Sequence, residues 1–159
     1  MTTLLGNRRL WWIAAGAAVV LAGVVVWLVA RPGDDPVRER RYRAESACLL
    51  TGEQGIRGLV ASQVWAGMQR ASLETKVQVT FLDVPGAASA GAMLAGLSQG
   101  HCDLLLAVDA EPVAAVAEGA KTFPGQRFAV VGGAAAANVT VLDGTADAAY
   151  GFLTREFTD

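Results

Sequence analysis

Two hydrophobic patterns divide the chain. From residue 10 to residue 30 it runs through 21 uncharged and mostly apolar positions without a break. Beyond residue 43, short apolar runs alternate with stretches in which apolar residues recur every three or four positions. The first pattern predicts a helix that crosses a bilayer, because 21 residues as a helix are roughly 31 Å long, about the thickness of a hydrocarbon core. Trp11, Trp12 and Trp27 stand near its two ends, where indole rings favour the headgroup boundary, and Arg8, Arg9 and Arg31 flank it. A cleaved export signal would have a shorter apolar stretch, roughly 7–15 residues, ending on small side chains. Here Leu28-Val29-Ala30 runs into Arg31-Pro32, so the segment is expected to stay attached.

The second pattern predicts strands and helices in alternation. Ala47 to Leu50 is a short buried strand, followed by a helix from about Gly58 to Glu74 in which Val60, Val64, Met68 and Ala71 share one face. Lys76 to Leu82 is rich in β-formers and ends at Asp83-Val84-Pro85-Gly86. Ala90, Met93, Leu94 and Leu97 stripe a second helix, Asp103 to Val108 is a third strand, and Asp109 can cap a third helix with Pro112 in its first turn. Arg127–Val131 and Val139–Leu142 are strands four and five, joined by a glycine–alanine loop, and a last helix covers about Asp147 to Phe157. Near-continuous apolar strands separated by helices specify a parallel sheet covered on both faces, of the flavodoxin-like order 2-1-3-4-5. The expected division is a tail over 1–9, a transmembrane helix over 10–30, a linker over 31–43 marked by Pro32 and Pro36, and one α/β lobe over 44–159. In such a sheet, ligands gather at the carboxyl ends of strands one and three. That edge carries Thr51, Gly52, Glu53, Gln54, Asp109 and Glu111.

Charge narrows the partners. A net charge of −2 gives no reason to expect nucleic acid. Basic residues cluster only at 38–43, which reads as a solvated stalk or a contact with anionic lipid headgroups. Arg31, Arg38, Arg40, Arg41 and Arg43 outnumber Arg8 and Arg9, and the positive-inside rule taken literally puts the lobe in the cytoplasm. The short tail with Arg8-Arg9 instead matches the start of an export signal, and the two votes stand opposed.

Several stretches, in order, resemble the basic membrane protein family of ABC-transporter substrate-binding proteins, which are related to purine-nucleoside receptors. They are Ala47-Cys48-Leu49-Leu50-Thr51-Gly52-Glu53-Gln54-Gly55-Ile56, Val64-Trp65-Ala66-Gly67-Met68, Cys102 to Val108, Phe123-Pro124-Gly125-Gln126-Arg127-Phe128-Ala129, and Asn138-Val139. The resemblance spans roughly residues 46 to 153 and implies one lobe of a periplasmic-binding-protein type 1 fold and an extracytoplasmic setting; it does not by itself imply nucleoside binding, and nucleoside-type sensing stays open. It also marks departures. Two lobes close on the ligand in that family, and the pattern here ends where a first lobe would. Where the family loop supplies Asp, Ser, Phe and Asn to the ligand, this chain reads Arg57-Gly58-Leu59-Val60-Ala61-Ser62-Gln63. Cys48 lies far beyond the apolar segment, so lipidation of a signal cysteine is not expected.

The remaining chemistry is sparse. Cys48 and Cys102 fall on strands expected to be neighbours, and in an exported domain they could pair. Counted from the strand ends they are about three residues out of step, about 10 Å, against the 7 Å or so a disulfide allows. A disulfide and two buried thiols both stay open. Thr51-Gly52-Glu53-Gln54-Gly55-Ile56-Arg57-Gly58, with Asp83 ending strand two, invites a dinucleotide site, but the glycine spacing is not G-x-G-x-x-G. Gly52, Gly55 and Gly58 then serve a tight strand-to-helix turn. His101 is the single histidine, beside Cys102 and Asp103, whose side chains diverge; neither a metal site nor a catalytic set assembles, and no cofactor is expected. Asn138-Val139-Thr140 matches a glycosylation acceptor, a pattern common by chance, and Trp65 reads as core packing. The expected function is non-enzymatic: a membrane-anchored lobe for weak small-molecule sensing or partner contact, with Thr51, Glu53, Gln54 and Asp109 nearest any site. The alternatives are a membrane-tethered nucleotide-binding oxidoreductase and a purely structural interaction module.

Overall fold

Strand β1 (Ser46–Thr51) is apolar along almost its whole length and is buried from Ala47 to Thr51, as a central parallel strand must be. The computed structural model describes residues 43–158 except 101. The transmembrane span expected over 10–30, the tail before it, nearly all of the linker and His101 lie outside the described residues. Among those residues no helix is long and apolar enough to cross a membrane.

After β1 come helix α1 (Leu59–Thr75), β2 (Gln78–Asp83), α2 (Ala87–Ser98), β3 (Leu104–Ala107), α3 (Ala110–Thr122), β4 (Arg127–Val131), β5 (Val139–Leu142) and α4 (Ala146–Thr158). The strands form one parallel sheet in the order β2-β1-β3-β4-β5. Alternation along each strand divides the core between its two faces. Ala47 and Leu49 of β1 join Leu104 and Leu106 of β3 beneath α1 and α4, where Val64, Met68, Phe152 and Leu153 are buried. Cys48 and Leu50 join Leu105 and Ala107 beneath α2 and α3, with Leu94 and Val116. The edge strand β2 is buried on neither face throughout, which is why its sequence is mixed rather than apolar.

Helices α1 and α4 approach closely because Gly67 has no side chain. A methyl group there would stand 2.2 Å from the Ala146 carbonyl oxygen and 2.9 Å from the Ala149 Cβ. Across the same pair, Arg70 reaches Asp147 at 2.6 Å and lies over the Tyr150 ring, 4.2 Å from its centre. The Tyr150 hydroxyl donates to Glu74.

Three local features differ from the sequence pattern. Strand two was expected from Lys76, but Lys76 ends α1 in the left-handed conformation (φ 64°), its N–H bonded to the Ser72 carbonyl, and the strand starts two residues later. Asp109 holds the N-cap position of α3, yet its carboxylate makes no capping bond. The linker's last residue is already part of the lobe. Arg43 donates its N–H to the Lys76 carbonyl (2.7 Å) and a guanidinium N–H to Phe157 at the end of α4 (2.8 Å), where a cation meets the negative end of the helix dipole.

The β4–β5 connection has no helix. Parallel neighbours usually need a crossover of a dozen or more residues, but these strands are only five and four residues long. The seven residues from Gly132 to Asn138 suffice. Asn138 fastens that crossover: its side-chain amide donates to the carbonyls of Ala120 (3.2 Å), Phe123 (3.0 Å) and Gln126 (3.0 Å). An amide so engaged is structural, which removes the glycosylation reading.

Candidate functional site

The helix after β1 packs on one face of the sheet and the helix after β3 on the other. The chain therefore parts between the carboxyl ends of β1 and β3, and a crevice opens there. Its floor is tied by Val108 N–H to the Leu50 carbonyl (3.0 Å) and Val84 N–H to the Thr51 carbonyl (2.8 Å).

The β1–α1 turn is built around Gly55, which adopts φ +58°; a Cβ there would lie 2.6 Å from the Asp83 Oδ1. Only glycine supplies that conformation without cost and leaves room for the carboxylate. Gly55 donates its N–H to the Gly52 carbonyl (2.9 Å), and one tight turn, Gly55–Arg57, leads to Gly58. Gly52 N–H is held by the Asp109 Oδ2 at 2.9 Å. This bond replaces the helix cap expected of Asp109 and clasps the two loops of the crevice. It also fixes Asp109 at φ 72°, ψ 162°, a conformation that costs a residue with a side chain about 1–3 kcal/mol.

Above the clasp lies an open hollow of about 350 Å³. Glu53, Gln54, Asp109 and Glu111 line it with polar groups; Leu59 and Val60 give it an apolar shoulder. Of the four residues expected nearest a ligand, three meet here. The fourth, Thr51, is fully buried, and its hydroxyl donates to the Leu82 carbonyl (3.2 Å) and Asp83 (3.1 Å) instead of facing the hollow. Asp83, the candidate ribose acid, is engaged by Thr51 and packed against Gly55. Leu59 was not foreseen. It is 77 % exposed in the first turn of α1, off the buried stripe, and that phase was visible in the sequence.

Chemically, the hollow accepts hydrogen bonds. Glu53, Asp109 and Glu111 line it without meeting at one point, Gln54 both donates and accepts, and the Gly52 N–H is already taken. A pyrophosphate would meet negative charge here with that amide unavailable, which argues against the dinucleotide reading. Among the described residues no three His, Cys, Asp or Glu side chains gather as a metal site would need. Trp65 stands away from the hollow, edge-on to Phe81 (5.1 Å between ring centres) and packed against the core.

The cysteines lie toward the opposite edge of the sheet and are joined, Cys48 to Cys102, with Cα atoms 5.9 Å apart. The register is three residues out of step, as counted: Cys48 faces Leu105. The separation is nevertheless short because Cys102 precedes β3 and is not on the strand line, so three residues there do not span three strand rises. Two free buried thiols are excluded in this structure.

No protein-family model and no curated protein sequence matches the chain. Solved structures do resemble it. A fragment of a candidate lipoprotein from Peptoclostridium difficile 630 superimposes with a TM-score of 0.60 at 16 % identity, covering 72 % of this chain and 96 % of the fragment. An ABC transporter solute-binding protein from Aeropyrum pernix K1 superimposes with a TM-score of 0.53 at 24 % identity over 60 % of this chain. This chain spans 28 % of that protein's length. At these identities the likeness is one of fold alone: a periplasmic-binding-protein-like α/β lobe.

Proposed function

We propose that this lobe binds rather than catalyses: an extracytoplasmic recognition domain, tethered by the apolar segment at 10–30, with affinity for a small, uncharged nucleoside-type ligand. The observation that carries the reading is the acceptor-lined hollow at the switch point of a 2-1-3-4-5 sheet. Ionised carboxylates accept from ribose-type hydroxyls and repel phosphate, so nucleosides are favoured over nucleotides. The likeness to a solute-binding protein supports a small-molecule ligand, and the ordered resemblance to the basic membrane protein family points to the nucleoside class. The disulfide supports the compartment, because such bonds persist in oxidising surroundings.

The described residues form one wall of a site. A hinged binding protein gains affinity by closing a second wall and excluding water. A solvated half-site is expected to bind near millimolar, about −4 kcal/mol. Thermal-shift measurements on the full chain in detergent test this: a rise with millimolar adenosine and none with adenosine monophosphate supports the reading, and no rise with a panel of nucleosides sinks it. Protease added to intact cells tests the compartment, where shaving of the lobe from outside is expected.

A second reading, partner contact at the same edge, is favoured by Leu59, exposed at the rim of the hollow. Photo-crosslinking from position 59 tests it; recovery of no reproducible partner counts against it.

A further inference from the structure

Both half-cystines are buried in one apolar cluster, but only Cys102 also borders an open hollow. Cys48 sits in the middle of β1 between β2 and β3, 1 % exposed, within the apolar cluster that includes Leu50, Leu94 and Leu105. Any approach to it passes through packed side chains. Cys102 belongs to no strand and is 6 % exposed. It lines an open hollow of about 560 Å³ at the amino-terminal edge of the sheet, with Ser46, Gln78, Asp103, Gly125 and Gln126 around it.

That hollow is polar and firmly framed. Gln126 donates its side-chain amide to the carbonyls of Cys102 and Asp103, both at 3.1 Å. Asp103 accepts from the Ser46 N–H at 2.7 Å and returns its own N–H to the Ser46 carbonyl at 3.0 Å. The Ser98 hydroxyl, also on its lining, is buried without a hydrogen-bond partner.

We infer that Cys102 is the thiol-exchange site of the folded chain, reached through this hollow by an external dithiol, with Cys48 as the shielded leaving group. A thiolate of the reagent attacks the Cys102 Sγ. A bond forms between those two sulfurs, the Cys102–Cys48 bond breaks, and its electron pair goes to the Cys48 Sγ, which takes a proton from solvent. The reagent's second thiol, as thiolate, then attacks its own sulfur in the mixed disulfide and releases the Cys102 thiolate, which is protonated in turn. The dithiol is oxidised to a disulfide by two electrons and the protein disulfide is reduced by two. Run in reverse, the same route forms the bond. Cys48 in apolar surroundings is a poor leaving thiolate, because burial disfavours its charged form, so exchange on the folded chain is slow and needs the second thiol to complete it. The consequence is local: reduction frees a 54-residue separation closed by the bond, beside the Ser46–Asp103 clasp where the lobe begins.

The test uses the full chain in detergent. In C48S the remaining Cys102 thiol is expected to react with a maleimide about 100-fold faster than the remaining Cys48 thiol does in C102S, since a thiol shielded in a sheet reacts only through opening of the structure. In denaturant the two rates converge. Equal native rates, or a faster Cys48, overturn the inference. Should either variant fail to fold, the wild-type chain decides: after brief exposure to glutathione and an alkylating quench, peptide mapping is expected to place the mixed disulfide on Cys102. Finding it on Cys48, or on both alike, overturns the inference. The route is tested separately by G125F. A side chain at Gly125 meets nothing within 4 Å yet projects from the hollow's lining. Reduction by dithiothreitol is expected to slow about tenfold with the unfolding midpoint unchanged; an unaltered rate contradicts the proposed path.

Discussion

Replacing Gly67 with alanine sets two effects of opposite sign against each other. Glycine inside a helix is intrinsically poor, and alanine there should stabilise by about 1 kcal/mol. Position 67 opposes this, since the new methyl would lie 2.2 Å from the Ala146 carbonyl oxygen, a backbone atom that cannot rotate away. Reaching an ordinary carbon–oxygen contact requires α1 and α4 to separate by roughly 1 Å. Separation loosens Val64, Met68 and Ala71 against Ala149, Phe152 and Leu153, all buried. Overpacking costs about 1–3 kcal/mol, and against a fixed backbone oxygen the upper part of that range, about 2–3 kcal/mol, applies, so G67A should be less stable by about 1–2 kcal/mol net. Gly91 in α2 and Gly151 in α4 are the controls: a methyl at either meets nothing within 4 Å, and G91A and G151A should stabilise by about 0.5–1 kcal/mol. Urea unfolding followed by far-ultraviolet circular dichroism, disulfide intact throughout, measures all three, with a fall in midpoint of about 0.5–1 M expected for G67A. A G67A chain as stable as the wild type would refute the packing argument.

Three further outcomes are expected. Reducing the Cys48–Cys102 bond, or replacing both cysteines with serine, releases a closure with a sequence separation of 54. Loop entropy alone puts that at about 4 kcal/mol, and a change below about 1 kcal/mol in urea unfolding would count against it. N138A leaves three carbonyls without their shared donor and should cost about 1–3 kcal/mol; N138D, which cannot donate when ionised, should be no better, and wild-type unfolding midpoints in both would refute the staple. The Tyr150 hydroxyl titrates above its ordinary 10.0, chiefly because it donates a hydrogen bond to Glu74 and secondarily because that carboxylate's charge opposes the phenolate. Raised in the folded state, it contributes stability that is complete below pH 10.0 and is lost as pH climbs through the higher folded value. In an ultraviolet titration, E74Q should bring Tyr150 back toward 10; an unmoved titration would contradict this cause.

The sheet order was legible because each strand's apolar run and each helix's stripe pointed to the same layered answer. Positions at element ends were less legible. Lys76 carries no signal for the left-handed turn it makes, and Asp109 has the right chemistry for a cap but spends its carboxylate on Gly52, 57 positions away in the chain. Thr51 shows the same limit. A hydroxyl at a strand end can face a ligand or the neighbouring strand, and the pairing of β1 with β2 chose Asp83. The cysteine distance was misjudged because register fixes spacing only while a residue stays on its strand, and Cys102 does not. The base hollow left no sequence signature, since its lining comes from separate parts of the chain that only the fold assembles.

The proposed function depends on recognition of a small uncharged ligand at the edge between β1 and β3. Backbone amide shifts of the isotope-labelled full chain, recorded while adenosine is added to millimolar concentration, test it most directly. Saturable shifts confined to residues 52–60 and 109–111, weakened by E53Q, are expected. Shifts absent from those residues, or centred elsewhere on the lobe, would contradict the claim.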